Sequence, residues 1–491
     1  MKIEFVTEPI TNLSCDTIIL AIHDDTAMLD QTAAVFDAML DGQISSLLST
    51  QPWNKKYGAA TVLHIMNKSP WRQVILLGAG KVGDLTADKA KNLTASAIRA
   101  ARDVRSSAVA LVLFHPLSVQ AAAEATLLGS YRFDRYKTDT SDTHQIDRLF
   151  IVADSIDQEQ AAQDIERAII VADSVNVTRD WVNHPANILT PQYLAEEAAQ
   201  LANQYGLALT VLERENMEQL NMRALLAVAQ GSQEPPKMLI LKHQGKPGSE
   251  EWIAFVGKGI TFDSGGISLK PSEGMKEMKD DMAGAAAVLG AITAIARLKL
   301  NINILAVIPC TENMPSGTAF RPGDVITSME GKTIEVVSTD AEGRLILADG
   351  LTYARRLGAT KLIDIATLTG ACVTALGNIA SGLITNNEGW GGAVLAAAQD
   401  AGEKMWQLPS YEEYNEQIKS SIADIKNSGG RPAGAITAGL FLANFTGGLP
   451  WVHIDIAGTV TVDKDKGYHV KGATGVGVRT LIQLAENLAV E

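Results

Sequence analysis

Short runs of β-branched and aliphatic residues alternate with Ala-rich or amphipathic segments along the whole chain. This alternation is typical of α/β layers built around mostly parallel sheets. In the first third of the chain the strand candidates are residues 17–22, 60–66, 73–77, 108–114 and 149–152. The clearest helix between them covers residues 87–104. The pattern therefore predicts an α/β fold.

A long helix is predicted between two such series. Residues 157–178 form one helical pattern, and Asn183-His184-Pro185-Ala186-Asn187 then ends it with proline and turn-forming residues. The second series has strand candidates at 207–212, 238–242, 253–257, 302–308 and 361–366. Between them, residues 282–298 predict a helix so apolar on every side that it must be buried. No repeat of fixed period relates the halves, so we expect two separate folds with a boundary in or near the long helix.

The charge balance limits the partners of the protein. Its 491 residues include 42 Lys and Arg against 56 Asp and Glu, which gives a net charge of −14. Such a surface repels polyanions and disfavours general nucleic-acid binding. Three widely spaced cysteines argue against disulfides and thiolate zinc sites and favour a reducing, cytoplasmic environment. No apolar run reaches the roughly 18 residues of a membrane helix, so no membrane span is expected.

One glycine-rich turn allows a nucleotide site. Gly78-Ala79-Gly80-Lys81-Val82-Gly83 follows a predicted strand and precedes a helix, as in the dinucleotide-binding fingerprint. That fingerprint also needs an acidic residue at the end of the next strand, which here ends in Phe114-His115-Pro116. A plain strand-to-helix turn is the alternative. An NAD-linked enzyme therefore stays open as a rival hypothesis.

Acids and lysines are concentrated near the ends of predicted strands in the second series. Lys258, Asp263 and Lys270 follow one such strand, Asp280-Asp281 precede the buried helix, and Asp340, Glu342 and Arg344 follow another strand. Ligands of open α/β sheets bind at the carboxyl ends of the strands. The eight histidines show no His-Glu-x-x-His pattern, and Ser264 lacks the Gly-x-Ser-x-Gly elbow. A metal in this protein must therefore be held mainly by carboxylates.

Each acid also has a structural interpretation. Asp280 or Asp281 can cap the following helix, and Asp340 and Glu342 can be solvated turn residues neutralised by Arg344. The apolar residues 345–348, however, must enter the core and would draw the acids inward. Several buried carboxylates need compensation, which divalent cations supply. Ligand type alone leaves Mg²⁺, Mn²⁺ and Zn²⁺ open.

Residues 256–271 and 339–345 resemble the two signatures of the leucyl aminopeptidase family, the dimetal peptidases that include cytosol aminopeptidase and bacterial aminopeptidase A. The resemblance extends through residues 183–187, 364–370, 430–432 and 453–458, and covers essentially all of residues 165–491. In the N-terminal third only the general α/β character matches. The family pattern has Asn where this chain has Ser338, a position outside the inferred ligands.

The resemblance implies a role for each site residue. By position, Asp263 and Glu342 would bridge two divalent ions, Mn²⁺ or Zn²⁺, with Lys258 and Asp281 completing the tighter site and Asp340 the more exchangeable one. A lysine that ligates metal must be neutral, which two adjacent cations make reasonable by lowering its pKa.

The same resemblance implies which residues bind the substrate and take part in catalysis. Lys270 would face the substrate carbonyl, and Arg344 would anchor a bicarbonate that acts as general base. The pocket for the first side chain of the substrate would include Met278, Thr367, Leu368 and Gly370. Alternatively, Met278 and Thr367 are ordinary packing residues with no role in substrate binding.

The function implied is a metal-dependent leucyl aminopeptidase, a cytoplasmic metalloprotease that removes leucine or other large hydrophobic residues from the N-termini of peptides through a metal-bridging hydroxide. The fold implied is a smaller N-terminal α/β domain, residues 1–165, linked by a long helix to a larger C-terminal α/β catalytic domain, residues 166–491, with a central mixed sheet. Family members are homohexamers. A non-enzymatic binding protein, including the DNA-binding side role of some bacterial relatives, is a second rival and needs a basic patch that the sequence does not reveal.

Overall fold

The structure is a computed structural model that describes residues 1–25, 31–66, 71–139, 144–153 and 156–490. The chain divides into two compact units. The first unit comprises Met1–Asp173 with Lys464–Lys471, and the second comprises Ser174–Asp463 with Gly472–Glu491. The predicted domain boundary between residues 165 and 166 falls within the long helix that passes from one unit to the other, and it stays a prediction.

The described elements of the first unit alternate as the sequence predicts. They are β1 (Lys2–Val6), β2 (Thr17–His23), α1 (Gln31–Met39), α2 (Gln43–Thr50), β3 (Ala60–His64), β4 (Gln73–Gly80), α3 (Ala87–Asp103), β5 (Ala108–Val112), α4 (Val119–Gly129), β6 (Arg148–Val152) and the start of α5 (Gln158–Asn183). α5 continues past the predicted end at residue 178, up to the proline-containing segment that stops it.

The sheet of the first unit is mostly parallel and buried on both faces. Its strand order is β1-β6-β5-β2-β4-β3, and the edge strand β3 pairs antiparallel with β4. Ile19 and Ile75 belong to one hydrophobic core, whereas Ile18 and Val74 belong to the other. Neighbouring residues thus point to opposite cores. Burial on both faces explains why these strands are continuous apolar runs in the sequence.

β4 ends in the glycines of the possible nucleotide turn. A Cβ atom on Gly78 would lie 2.1 Å from the carbonyl oxygen of Lys56 and 2.5 Å from that of Asn54. Close packing of the backbone against residues 54–56 therefore requires glycine at this position. This packing accounts for Gly78 as a residue of β4 and needs no bound nucleotide.

The second unit contains the rest of the elements. The helices are α6 (Pro191–Tyr205), α7 (Arg214–Gln219), α8 (Arg223–Val228), α9 (Ala283–Arg297), α10 (Gly343–Arg356), α11 (Gly370–Leu376), α12 (Glu388–Ala401), α13 (Gly434–Ala443) and α14 (Val478–Ala489). The strands are β7 (Ala208–Leu212), β8 (Lys237–Gln244), β9 (Ile253–Gly257), β10 (Gly259–Asp263), β11 (Asn303–Asn313), β12 (Val325–Thr327), β13 (Thr333–Glu335), β14 (Lys361–Ala366), β15 (Ser381–Thr385), β16 (Met405–Gln407), β17 (Ile425–Lys426), β18 (Trp451–Asp455), β19 (Thr461–Val462) and β20 (Gly472–Ala473).

The main sheet of the second unit is mixed. Its order is β16-β15-β18-β14-β9-β11-β8-β7, with β10 paired to β11. The central strands β18, β14, β9 and β11 are parallel, while β15 and β8 pair antiparallel at their flanks. The predicted architecture of two α/β domains with a mixed sheet in the larger one is therefore confirmed.

The predicted apolar helix is α9, and its residues from Ala283 to Ala296 are all buried. α9 contacts β9, β11 and β14, whereas α10 packs with the core cluster that includes Ala254, Val256 and Leu362. The carboxyl ends of the central strands meet the beginnings of these two helices. None of the described helices combines the length and hydropathy of a membrane span.

Candidate metal centre

Glycines allow the strands and helices to meet closely at this edge of the sheet. A Cβ atom on Gly284, in the first turn of α9, would lie 2.1 Å from the carbonyl oxygen of Ile365 in β14. A Cβ atom on Gly343, the first residue of α10, would lie 2.6 Å from Nζ of Lys258. The residues just before the two helices, Asp281 and Glu342, therefore reach the lysine that follows β9.

Lys258 lies at the centre of the cluster. Its side chain is 3% exposed, and its Nζ atom lies 2.8 Å from Oδ2 of Asp281 and 2.9 Å from Oε1 of Glu342. The same atom donates to the carbonyl oxygen of Thr367 at 3.1 Å. Burial alone would lower the pKa of Lys258, but the surrounding carboxylates outweigh it and raise the pKa. In the protein without metal, the lysine is therefore an ammonium group.

Lys270 joins two further carboxylates nearer the solvent. Its Nζ atom lies 2.8 Å from Oδ2 of Asp263 and 2.7 Å from Oδ1 of Asp340. Asp263 is buried, whereas the side chain of Asp340 is 38% exposed. Burial would lower the pKa of Lys270, yet Asp263 and Glu342 raise it overall. The positive charge of Lys270 therefore lies at the more open side of the cluster.

The cluster has more negative charge than its lysines neutralise. Four carboxylates, those of Asp263, Asp281, Asp340 and Glu342, face the two ammonium groups. Two negative charges therefore remain when all groups are ionised. Burial raises the pKa of Asp263 to about 6, with a further contribution from Glu342, and burial also raises the pKa of Asp281.

The donor set fits a divalent cation. Carboxylate oxygens of Asp263, Asp340 and Glu342 all lie within 4.8 Å of one another. Oε2 of Glu342 is buried and has no hydrogen-bond partner within the described parts of the chain. Buried carboxylates without enough partners cost free energy, which a hard cation with oxygen ligands would remove.

The structural interpretations of the acids do not describe this arrangement. α9 has no side-chain cap hydrogen bond, and Oδ1 of Asp281 instead accepts a hydrogen bond of 2.7 Å from the Thr367 hydroxyl. Arg344 does not pair with the acids beside it; its Nη1 atom donates to the carbonyl oxygen of Asn427 at 2.6 Å. Burial lowers the pKa of Arg344 to about 10, so it remains charged at neutral pH. Asp280 lies outside the lysine contacts, half-buried, and burial raises its pKa to about 7.

Of the predicted substrate residues, Thr367 contacts the cluster directly. Thr367 is buried and contacts both Lys258 and Asp281, whereas Gly370 is exposed at the start of α11, with open space where a side chain would be. Leu368 is half-buried beside Thr367, and Met278 is half-buried in a short 3₁₀ helix, Met275–Asp280. The hydroxyl of Ser338 accepts a hydrogen bond from the Asp340 amide at 3.3 Å, so serine supports this loop in place of the family's asparagine.

Polar residues that the sequence pattern does not identify hold these loops. The amide of Asn313 donates to Oδ1 of Asp263 at 2.8 Å and to the carbonyl oxygen of Thr339 at 3.0 Å. Asp455, at the end of β18, accepts hydrogen bonds from the Leu368 amide at 3.1 Å and from the Thr369 hydroxyl at 2.7 Å. Asn313 ends a long apolar strand, and a polar residue there is the signal that could have identified it.

Fold and site together define a metal-dependent enzyme of α/β architecture. The sequence profile of the cytosol aminopeptidase family's catalytic domain matches residues 176–482, and the profile of its N-terminal domain matches residues 19–140. The chain belongs to the cytosol aminopeptidase family. It is a metal-dependent aminopeptidase, a hydrolase of peptide bonds.

Similar proteins span the full chain. A probable cytosol aminopeptidase of Alkaliphilus oremlandii is 44% identical over 99% of this chain and 100% of its own length. One of Geobacter sulfurreducens is 41% identical over 96% of this chain and 97% of its own. Among solved structures, a mutant of tomato leucine aminopeptidase has a TM-score of 0.89 at 34% identity, covering 99% of this chain and 96% of that one. The bottromycin maturation enzyme BotP in complex with Mn has a TM-score of 0.85 at 32% identity, covering 96% and 99%.

Proposed function

We propose that this aminopeptidase uses two divalent ions in each subunit, Mn²⁺ or Zn²⁺, to remove leucine or another large hydrophobic residue from the N-termini of peptides. The observation that carries the proposal is the excess of two negative charges in a buried cluster of four carboxylates and two lysines. Two divalent ions would more than compensate this charge and would take the place of the positive charge of Lys258, which now lies between Asp281 and Glu342.

The family resemblance implies the ligands, and their positions in the cluster support that assignment. By the family resemblance, Asp263 and Glu342 would bridge the ions. In support, each contacts a lysine and belongs to the three carboxylates whose oxygens lie within 4.8 Å of one another. Lys258 and Asp281, which are both buried, would complete the tighter site, and the exposed Asp340 the more exchangeable one. Lys258 must lose its proton to serve as a ligand, so binding of the ions would release a proton.

The remaining charged residues would act on the substrate. The ions, when bound, would supply a bridging hydroxide as nucleophile and polarise the scissile carbonyl. Lys270, on the open side, would donate to the carbonyl oxygen as negative charge develops there. Arg344 would hold a bicarbonate that accepts the proton of the attacking water. Arg344 is buried beside the cluster and is charged at neutral pH.

Selection of a hydrophobic first residue would fall to Met278, Thr367, Leu368 and Gly370. The exposed Gly370 leaves open space beside Thr367, whose hydroxyl and carbonyl already touch two of the inferred ligands. A side chain bound there would lie next to the scissile bond. An apolar wall of Met278 and Leu368 would favour leucine, because burial of a large aliphatic side chain is worth about 1.5–3 kcal/mol.

We also propose a cytoplasmic homohexamer, by similarity to the family. Large apolar side chains on the second unit support an interface between copies, since Trp406 is 66% exposed, Tyr411 67% and Ile422 61%. Exposed aromatic residues of this size are enriched at protein interfaces.

Hydrolysis of leucine-amide and of glycine-amide tests the function. We expect faster turnover of leucine-amide, its loss after chelation, and recovery with Mn²⁺ or Zn²⁺. Activity that persists after the bound metal has been shown to be removed would contradict the mechanism, and equal rates on the two amides would contradict the proposed specificity.

A further inference from the structure

The first unit has a cavity that the peptidase chemistry does not use. Its volume is about 310 Å³. Four separate parts of the chain form its lining: the end of α3 and the residues after it, the segment that follows α4, His144, and the returning segment Lys464–Lys471. All four belong to the first unit, so the cavity is complete within it.

Positive side chains dominate this cavity in a protein whose net charge is −14. The cationic lining residues are Arg102, Arg105, Arg132, Lys137 and Lys471. The acidic ones are Asp103, Asp134 and Asp465. Five positive charges against three negative ones reverse the sign of the protein as a whole.

The three carboxylates are engaged locally. Asp103 lies 3.6 Å from Arg102, and Asp134 lies 3.8 Å from Arg132, in loose pairs of near neighbours in sequence. Such partly exposed pairs contribute little to stability, so an anion can compete with these carboxylates for the arginines. Asp465 lies 3.6 Å from Arg99, outside the lining, and accepts a hydrogen bond from a backbone amide.

Two ammonium groups at the cavity are not neutralised. Lys137 and Lys471 come from segments far apart in sequence, and both are exposed. Neither forms a salt bridge with any residue of the described chain. Two unpaired positive charges brought to the same cavity repel each other unless an anion lies between them.

The segment that carries Lys471 is held firmly. Nη1 of Arg99 donates to the carbonyl oxygen of Gly467 at 2.6 Å, and the Tyr468 hydroxyl donates to Oδ1 of Asp88 at 3.0 Å. A Cβ atom on Gly467 would lie 1.5 Å from Oδ1 of Asn92, so this glycine lets the segment pack against α3. The opposite side is also fixed, because Nε2 of His144 lies 2.7 Å from the carbonyl oxygen of Ser106. Lys471 therefore lies on a segment that these contacts hold in place at the cavity.

We propose that this cavity binds a small polyanion of the diphosphate class. Guanidinium groups match phosphate oxygens geometrically, and lysines supply point charges to the same group. The volume is at the lower end of the range for small-molecule sites, roughly 300–1,000 Å³. A nucleic acid instead needs an extended track of cations on a surface, whereas these charges converge on one concavity. The inference stands apart from the peptidase function, since it uses none of the residues of the metal centre.

Calorimetric titration of the full-length, metal-loaded protein with inorganic diphosphate tests the proposal. The variant Lys137→Gln/Lys471→Gln removes both unpaired charges, and both side chains are exposed, so the fold should persist. The control Lys56→Gln/Lys81→Gln removes the same charge from exposed lysines of the same unit that do not line the cavity. We expect the dissociation constant to rise at least about tenfold in the first variant and to stay unchanged in the control.

Further arms of the titration identify the ligand. If a nucleoside diphosphate binds no more tightly than inorganic diphosphate, the cavity recognises the phosphates alone. If it binds much more tightly, the site belongs to nucleotides. Both outcomes support a ligand of the diphosphate class. Diphosphate affinity that is equal in all three proteins would mean binding elsewhere, for example at the metal centre, and would overturn the proposal. The proposal would also be overturned if the wild type bound no diphosphate but bound duplex DNA, and the cavity variant lost that DNA binding.

Discussion

The two sheets of this protein share a local feature and differ in what surrounds it. β4 of the first unit has Gly78 near its carboxyl end, and β9 of the second ends in Gly257. A Cβ atom on Gly78 would lie 2.1 Å from the Lys56 carbonyl oxygen, and one on Gly257 would lie 2.6 Å from that of Gly284. In the first unit the neighbouring backbone fills the strand end. In the second, two helices begin there and bring carboxylates to Lys258. Glycine at a strand end therefore indicates close packing, and only the charged residues around it identify a site.

The largest effect that this comparison predicts is the loss of catalysis when a bridging carboxylate is removed. Glu342→Ala or Asp263→Ala should lower kcat/KM by at least about 10³-fold. Each change would weaken the binding of both ions, and several kcal/mol of transition-state stabilisation would be lost with them. Asp280→Ala is the matched control, since Asp280 lies outside the lysine contacts, and its effect should be much milder. Steady-state kinetics on leucine-amide measures all three. Equal losses at Asp280 and Glu342 would refute the ligand assignment.

A smaller effect is expected where the second unit holds its loop. Asp455→Asn replaces an acceptor of the Leu368 amide and the Thr369 hydroxyl with a group that can accept at only one atom. Because the adjacent Thr367 contacts Lys258 and Asp281, metal affinity should fall about 10–100-fold. Competition with a chromophoric chelator measures this affinity directly.

Asp349→Asn provides the control for that measurement. Asp349 is also fully buried and accepts hydrogen bonds from two backbone amides, those of Leu225 at 2.9 Å and Met329 at 2.8 Å. Its replacement should lower stability and leave the metal affinity within a few-fold. If both variants lose metal equally, Asp455 has only a general structural role.

The acids of the second unit should also make metal binding depend on pH. Burial raises the pKa of Asp263 to about 6 in the protein without metal, so this carboxyl keeps a proton that an acid of ordinary pKa has already lost. Metal must displace that proton in addition to the proton of Lys258, whose pKa is raised. The apparent affinity should therefore rise with pH over the whole range and more steeply below about pH 6, where Asp263 adds roughly a further tenfold per pH unit. Chelator competition from pH 5 to 7.5 measures the slope, with circular dichroism to confirm folding. A constant affinity from pH 5 to 6 would contradict the proposed linkage.

The smallest effect on catalysis belongs to the first unit. Gly78→Ala would force a Cβ atom against the Lys56 backbone and should cost about 1–3 kcal/mol of stability, with kcat/KM per folded molecule unchanged. Gly83→Ala is the control, because nothing lies within 4 Å of its added atom. Urea unfolding and leucine-amide kinetics test the pair. Unchanged stability of Gly78→Ala would mean that packing does not explain this glycine.

Much of the fold could be predicted because it depends on neighbours in sequence. β9 and β14 coincide with their predicted ranges, and α9 differs by one residue at each end, since periodicity and apolar runs mark buried elements directly. β18 is central in the sheet but was not predicted as a strand, because its His453 and Asp455 interrupt the apolar pattern. Both side chains are buried, and Nδ1 of His453 lies 2.5 Å from Oδ1 of Asp364. Tertiary partners that the local pattern does not contain thus keep this strand in place.

The sequence by itself determined the α/β class, the family and the acids and lysines from which a site had to be built. Only the tertiary structure decided that Lys258 meets Asp281 and Glu342, that Asn313 supports Asp263, and that Lys137 and Lys471 share a cavity in an acidic protein. The physical reason is distance along the chain. Hydrophobic periodicity is a property of adjacent residues, whereas a charge acquires its environment from segments that folding brings beside it.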